Sequence, residues 1–156
     1  MSAISRRSAI LAVPAAAGAV AVTKASPAEQ TITFTATRSK NTLPVSPPLG
    51  APFIIYLSLR DANNSSVGDG SLFGMVVDVI VDVPPQIVVQ VKVIFRLPGG
   101  EIHASGMQIR KVPEPGVKHP LAIVGGTGIY RSARGEGTVE HVTADLSSVA
   151  LNVVTD

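Results

Sequence analysis

From residue 31 onward the chain alternates. In 31–38, TITFTATR, Ile32, Phe34 and Ala36 are spaced by threonines, the period-two signature of a half-buried strand. Residues 39–52 then carry Pro44, Pro47, Pro48, Gly50 and Pro52, which predicts a loop. In 53–60, FIIYLSLR, one phase holds Phe53, Ile55, Leu57 and Leu59, and the other Ile54, Tyr56, Ser58 and Arg60. A polar, glycine-containing connection, 61–70, follows.

Two longer strands are predicted over 71–83 and 86–97, joined at Pro84-Pro85. The first places Phe73, Met75, Val77, Val79, Val81 and Val83 on one face and Asp78 and Asp82 on the other. The second aligns Ile87, Val89, Val91, Val93, Phe95 and Leu97 against Gln90, Lys92 and Arg96. They read as an antiparallel hairpin with a dry face and a wet face, the wet one allowing Asp/Lys pairs across the strands. A fifth strand, 101–109, has polar groups in both phases, and the proline-rich 110–120 is a loop at the rim.

The next fifteen residues, 121–135, read LAIVGGTGIYRSARG: an apolar strand, a glycine corner, and a strand turning away with Arg131 and Arg134. Gly125, Gly126 and Gly128 suit a positive φ or a close backbone approach, and a sheet bent this sharply is closing on itself. Strands over 136–144 and 148–154 complete a count of about eight, with no helical period after the first 30 residues. The expected fold is all-β, an eight-stranded antiparallel closed barrel with a central apolar cavity, wide enough for side chains or one small ligand.

Composition narrows the function. Apolar residues make up 46% of the chain and charged ones 15%, without cysteine or tryptophan, so no disulfide or thiolate site is available. Without Arg6, Arg7 and Lys24 of the N-terminal segment, ten basic residues stand against 11 acidic ones, a balance near −1. With six Phe and Tyr in all, neither a basic surface nor stacking platforms for nucleic acid are expected. The N-terminal segment itself has Arg6-Arg7, an Ala/Val-rich run over 9–22 and small residues before Ala25 and Ala28. That run is shorter than the ~20 residues of a membrane span, so no stable membrane insertion is expected. The order of charge, apolar run and small residues predicts a leader over 1–28 of the twin-arginine type, and export or secretion of a 29–156 barrel. The alternative is a cytoplasmic protein with a disordered N-terminal tail.

Candidate chemistry is sparse. His103, His119 and His141 are far apart in sequence and lack metal-ligand spacing, so no metal is predicted. Gly125 to Gly128 fails as a phosphate loop because no Lys-Ser/Thr follows, and fails as a dinucleotide fingerprint because Arg131 holds its last glycine position. No cofactor is predicted. Hydrogen-bonding groups at barrel positions remain. Tyr56, His103 and Gln108 are the candidate catalytic residues, and Phe34, Met75, Glu101, Met107, Arg131 and Arg134 the candidate cavity or rim residues. Alternation alone does not say which phase faces inward.

The run Gly125-Gly126-Thr127-Gly128-Ile129-Tyr130, with Ala133-Arg134-Gly135, resembles the V-x-G-G-[ST]-G-x-F and A-R-G signature of the dirigent and allene oxide cyclase superfamily. Gly70 to Gly74, and Gly100 to Gly106, resemble further pieces of the dirigent pattern. The match is specific over 121–137 and loose over 31–154. It implies an eight-stranded barrel around an apolar cavity, and a homo-oligomer of two or three chains. Specific activities do not carry over. Met107 and Gln108 stand where dirigents have Arg and then Asp or Asn, residues 33–37 hold no acid, and the allene oxide cyclase pattern of the first strand is missing. Similar bacterial barrels promote ring closures, cycloadditions included, without cofactor. The expectation is a cofactor-free barrel that binds an apolar small molecule and directs its stereoselective cyclisation or isomerisation. The alternatives are a dirigent-type protein orienting radicals made by a separate oxidase, and an exported non-catalytic ligand-binding barrel.

Overall fold

Eight strands follow one another around the molecule, each antiparallel to the next: β1 Ala28–Asn41, β2 Pro52–Arg60, β3 Ser66–Ile80, β4 Gln86–Leu97, β5 Gly100–Lys111, β6 Lys118–Gly126, β7 Arg134–His141 and β8 Leu146–Thr155. The computed structural model describes residues 27–111 and 115–156. The first and last strands pair from Ala28↔Thr155 to Thr37↔Leu146, closing the barrel so that neither is an exposed edge. The predicted leader lies, as far as residue 26, outside the described residues.

Because every neighbour is antiparallel, the hairpin connections fall alternately at the two ends of the barrel. The β2–β3, β4–β5 and β6–β7 connections share one end; the longer β1–β2 loop and the β3–β4, β5–β6 and β7–β8 connections share the other. The glycine corner belongs to the first end and plugs it. It forms one 3-10 turn, Gly128–Tyr130, before β7, with Tyr130 and Ala133 buried beneath it. A Cβ on Gly126 would come within 2.4 Å of the carbonyl oxygens of Glu101 and Tyr130. Gly128 has φ +60, and a Cβ there would meet the Gly99 carbonyl oxygen at 2.0 Å. Only glycine fits either position. The backbone bonds Thr127 N–H to Glu101 O and Ile129 N–H to Gly99 O tie the plug to the β4–β5 hairpin.

The interior is filled by one phase of each strand. Phe53, Ile55, Leu57 and Leu59 of β2, and Ile87 through Leu97 of β4, are buried as their alternation predicts. Phe34 of β1 packs edge-to-face on Phe95 with ring centroids 5.1 Å apart. β3 reverses the expectation. Phe73, Met75, Val77 and Val79 face outward and are exposed, while Gly70, Leu72, Gly74 and Val76 face the interior. The cause lies in the neighbouring strand: the Phe53 ring occupies the space above Gly74, where a Cβ would sit 2.2 Å from its Cζ. Register agrees, since Leu72 pairs with Val93 and Val76 with Val89, all inward. The expected Asp/Lys pairs therefore do not form; Lys92 stands opposite Phe73, and Asp78 opposite Val88 beside a register shift. β3 also stops at Ile80 instead of running to Val83.

Candidate functional site

Several strands carry a polar residue where their inward file reaches the second end of the barrel. In β1 the file Phe34, Ala36 continues to Arg38; in β5 Ile102, Ala104, Gly106 continue to Gln108 and Arg110. β6 begins its file with His119 before Leu121 and Ile123, β7 ends on Val139 and His141, and β8 begins with Ser147 before Val149 and Leu151. The antiparallel order brings these ends together, so a ring of polar side chains surrounds the mouth of an apolar shaft.

The cavity at this end is small, about 40 Å³. That is room for about three water molecules, well below the ~300–1,000 Å³ of pockets that enclose a drug-sized ligand. Its apolar wall includes Phe53, Ile55, Val91 and Leu121, and its polar wall Arg38, Gln108, Arg110, His141 and Ser147. Gln108 is 6% exposed.

His141 is the centre of the ring. Its Nδ1 lies 2.9 Å from Ser147 Oγ and 3.4 Å from Arg38 Nη2. A guanidinium only donates, so Nδ1 accepts and Nε2 carries the ring proton. That Nε2–H is buried and has no hydrogen-bond partner among the described residues. Burial pushes the imidazole pKa well down from 6.5, to about 3, and the charges of Arg110 and Arg38 and the nearby His119 push the same way. His141 is therefore neutral at physiological pH. The His119 ring stands 5.3 Å from it, centroid to centroid. Burial also lowers the pKa of Arg38, opposed by the charge of Asp145.

Of the residues singled out in the sequence, Gln108 lines this cavity and Phe34 lies in the core above it. Tyr56 and His103 stand on the outer wall instead, because the inward phases of β2 and β5 belong to their apolar neighbours. Met75, Glu101 and Met107 also face outward. Tyr56, Glu101 and His103 gather there: the Tyr56 hydroxyl donates to Asp69, Arg96 clamps the same carboxylate through Nε and Nη2, and His103 Nε2 lies 3.1 Å from Glu101. Hydrogen bonds from Arg96 and Tyr56 hold the Asp69 carboxyl down at about 2, and the bond to Asp69 raises the Tyr56 phenol. Tyr56, Asp69, Arg96 and Glu101 rim a shallow external groove of about 200 Å³. Arg131 and Arg134 are exposed at the plugged end, away from the mouth, Arg134 pairing with Asp156 at 2.9 Å. The residues that sequence reasoning passed over are Arg38, Arg110, His119, His141 and Ser147.

Solved structures with this architecture carry diverse chemistry. A pyocyanin demethylase is similar at a TM-score of 0.60 and 23% identity, over 80% of this chain and 99% of that one. AbnU, an exo-specific intermolecular Diels-Alderase, is similar at 0.63 and 16%, over 84% and 100%. The pterocarpan synthase dirigent protein GePTS1 is similar at 0.53 and 14%, over 88% and 94%. What the chain shares with them is the fold, a closed antiparallel β-barrel. No protein-family model matches the chain, and neither does any curated protein sequence. The allene oxide cyclase half of the resemblance rests on the glycine signature alone.

Proposed function

We propose that the chain is a barrel that takes an apolar small molecule at its open end and directs a stereoselective cyclisation or isomerisation without a cofactor. The observation that carries this reading is the apolar shaft opening through a ring of hydrogen-bond donors: Arg38, Gln108, Arg110 and His141 meet at one mouth, and the other end is plugged. A polyene- or polyketide-like substrate would place one end in the shaft and fold the remainder over the mouth. Holding reacting carbons in such a fold supplies up to ~7–11 kcal/mol in the best intramolecular cases. A donor such as Gln108, aimed at a polarised carbonyl, adds electrostatic stabilisation as charge develops. The Diels-Alderase and dirigent neighbours support a stereochemical role for this barrel. The test is to incubate the purified chain with a panel of linear diene–dienophile precursors. Unchanged rate and unchanged product stereochemistry across the panel would sink the catalytic reading.

The narrow interior, about 40 Å³, favours a second reading. A barrel with so little internal space suits a dirigent-type protein that orients radicals at its mouth, or a ligand-binding barrel without chemistry of its own. The dirigent case predicts no reaction alone and altered stereochemistry once an oxidase is added. We propose with it that residues 1–28 are a twin-arginine leader and that the barrel is exported, which suits such a role; fractionation of a tagged chain tests it. We further propose self-association through the outer wall. Ile54 pairs across strands with Phe73, and Pro52 with Met75, giving an exposed apolar strip of the type that marks protein contacts.

A further inference from the structure

We propose that Gln108 makes the mouth a site for a neutral amide edge, a primary amide or lactam, at the end of an otherwise apolar ligand. This rests on the reading that shaft and mouth bind a ligand, and it names the group that the ligand presents.

Gln108 is 6% exposed and lines the cavity, yet its side-chain amide makes no hydrogen bond to any described residue. Most buried polar side chains are partnered. Leaving one unpaired costs stability, and an apolar residue of similar volume would remove that cost. The amide nevertheless continues the inward file of β5 after Ala104 and Gly106. Its use is therefore towards a group that the fold does not contain.

The other polar groups of the wall are engaged. Ser147 Oγ and Arg38 Nη2 both reach His141 Nδ1, the charge of Asp145 faces Arg38, and Arg110 is not without a partner. The arginines are thus answered within the protein. His141 Nε2 is unpaired among the described residues, but it is sealed from solvent, and the Gln108 amide is not. The unanswered group within a ligand's reach is neutral.

A glutamine amide holds a carbonyl acceptor and an NH₂ donor side by side. A ketone or ester satisfies only the donor, and a carboxylate brings no donor for the carbonyl oxygen. A primary amide or lactam carries both functions on one edge at the same spacing, so it pairs with both.

Access and size agree. β5 runs to Lys111, but its register with β6 ends at Ser105↔Ala122, so the wall is split beside Gln108. The cavity there, about 40 Å³, has room for about three waters. An amide head has three heavy atoms, and the apolar body of the ligand would lie along the mouth.

The test titrates octanamide and its isostere 2-nonanone into the purified full chain by calorimetry; the two differ by NH₂ against CH₃. Transfer from water alone favours the ketone, because the amide is better hydrated. Octanamide is nevertheless expected to bind at least about fivefold more tightly, the low end of what an unsatisfied buried group costs. In Gln108→Met that preference should vanish or reverse, and the melting temperature should equal or exceed that of the native chain. Ketone binding as tight as amide binding in the native chain overturns the inference and leaves the apolar site standing. Binding of neither overturns both the inference and the functional reading. An amide preference that survives Gln108→Met also overturns it, because the amide would then be held elsewhere. So does a fall of several degrees in that variant's melting temperature, which would give Gln108 a partner within the fold. The amide–ketone comparison uses the unaltered chain, so it decides the question even where the variant fails to fold.

Discussion

His141 should make the barrel acid-sensitive in a way that one substitution abolishes. The ring is half-buried between Arg38 of β1, Arg110 of β5, His119 of β6 and Ser147 of β8, and its pKa falls from 6.5 to about 3. For a base whose folded pKa is depressed, the unfolded chain takes up a proton that the native state refuses. Stability is therefore lost as pH falls below 6.5, and the loss levels off near pH 3. Carried in full, such a shift corresponds to roughly 5 kcal/mol at ~1.4 kcal/mol per pH unit. The ring is only half-buried, and solvent screening brings the expectation to about 2 kcal/mol. Urea unfolding, followed by circular dichroism at pH 7.5, 6, 5 and 4, measures this in the native chain and in His141→Gln. Every other titratable group is common to both chains, so the difference between the two curves isolates the ring. The native chain should lose about 2 kcal/mol more than the variant between pH 7.5 and 4, with the divergence starting near 6.5. Curves that stay parallel within about 0.5 kcal/mol would refute the buried neutral imidazole.

Four other outcomes are expected. Phe53→Ala removes a ring that is 1% exposed, costing about 3–5 kcal/mol in urea unfolding, and opens the space above Gly74 into the cavity; apolar ligands should then bind more tightly, and weaker binding would place the ligand elsewhere. Gly126→Ala drives a Cβ against two carbonyl oxygens that cannot move independently, so thermal unfolding should show a loss of about 3 kcal/mol or more. Tyr56→Phe and His103→Ala, on the outer wall, should leave the urea midpoint and the ligand affinity measured by calorimetry unchanged; a large affinity loss in Tyr56→Phe would move the site to the external groove. Phe73→Glu combined with Met75→Lys should shift native mass spectra towards monomer, and an unchanged mass would remove the outer strip as the contact.

Much of the barrel is legible in the chain because alternation and turn chemistry agree over most strands. Where they conflict, the reading slips. In β3 the more hydrophobic phase, Phe73 to Val79, points outward and the glycine-bearing phase points inward. Hydrophobicity counts side chains strand by strand, whereas the interior responds to total volume. Phe53, delivered by the adjacent strand, needs the absence of a side chain at Gly74, and no window confined to β3 contains that information. Glycines in inward register thus mark a large neighbour across the pair.

The candidate site escaped for a related reason. Tyr56 and His103 attract notice as chemically capable residues, yet each shares its phase with polar neighbours on a wall whose other phase is apolar: Tyr56 with Ser58 and Arg60, His103 with Glu101 and Ser105. The mouth residues are the reverse case. Arg38 follows Phe34 and Ala36 in phase, Gln108 follows Ala104 and Gly106, His119 precedes Leu121 and Ile123, and Ser147 precedes Val149 and Leu151. Each is a polar residue that continues an apolar file at the strand end facing one rim. In a closed antiparallel barrel, alternate strand ends converge, so residues separated by more than a hundred positions, such as Arg38 and His141, meet at 3.4 Å. Sequence spacing set the histidines far apart, while the topology brought His119 and His141 together. The chemistry of this barrel is therefore encoded in where polarity interrupts an inward file, and once the strand order is known that interruption selects the mouth over the outer wall.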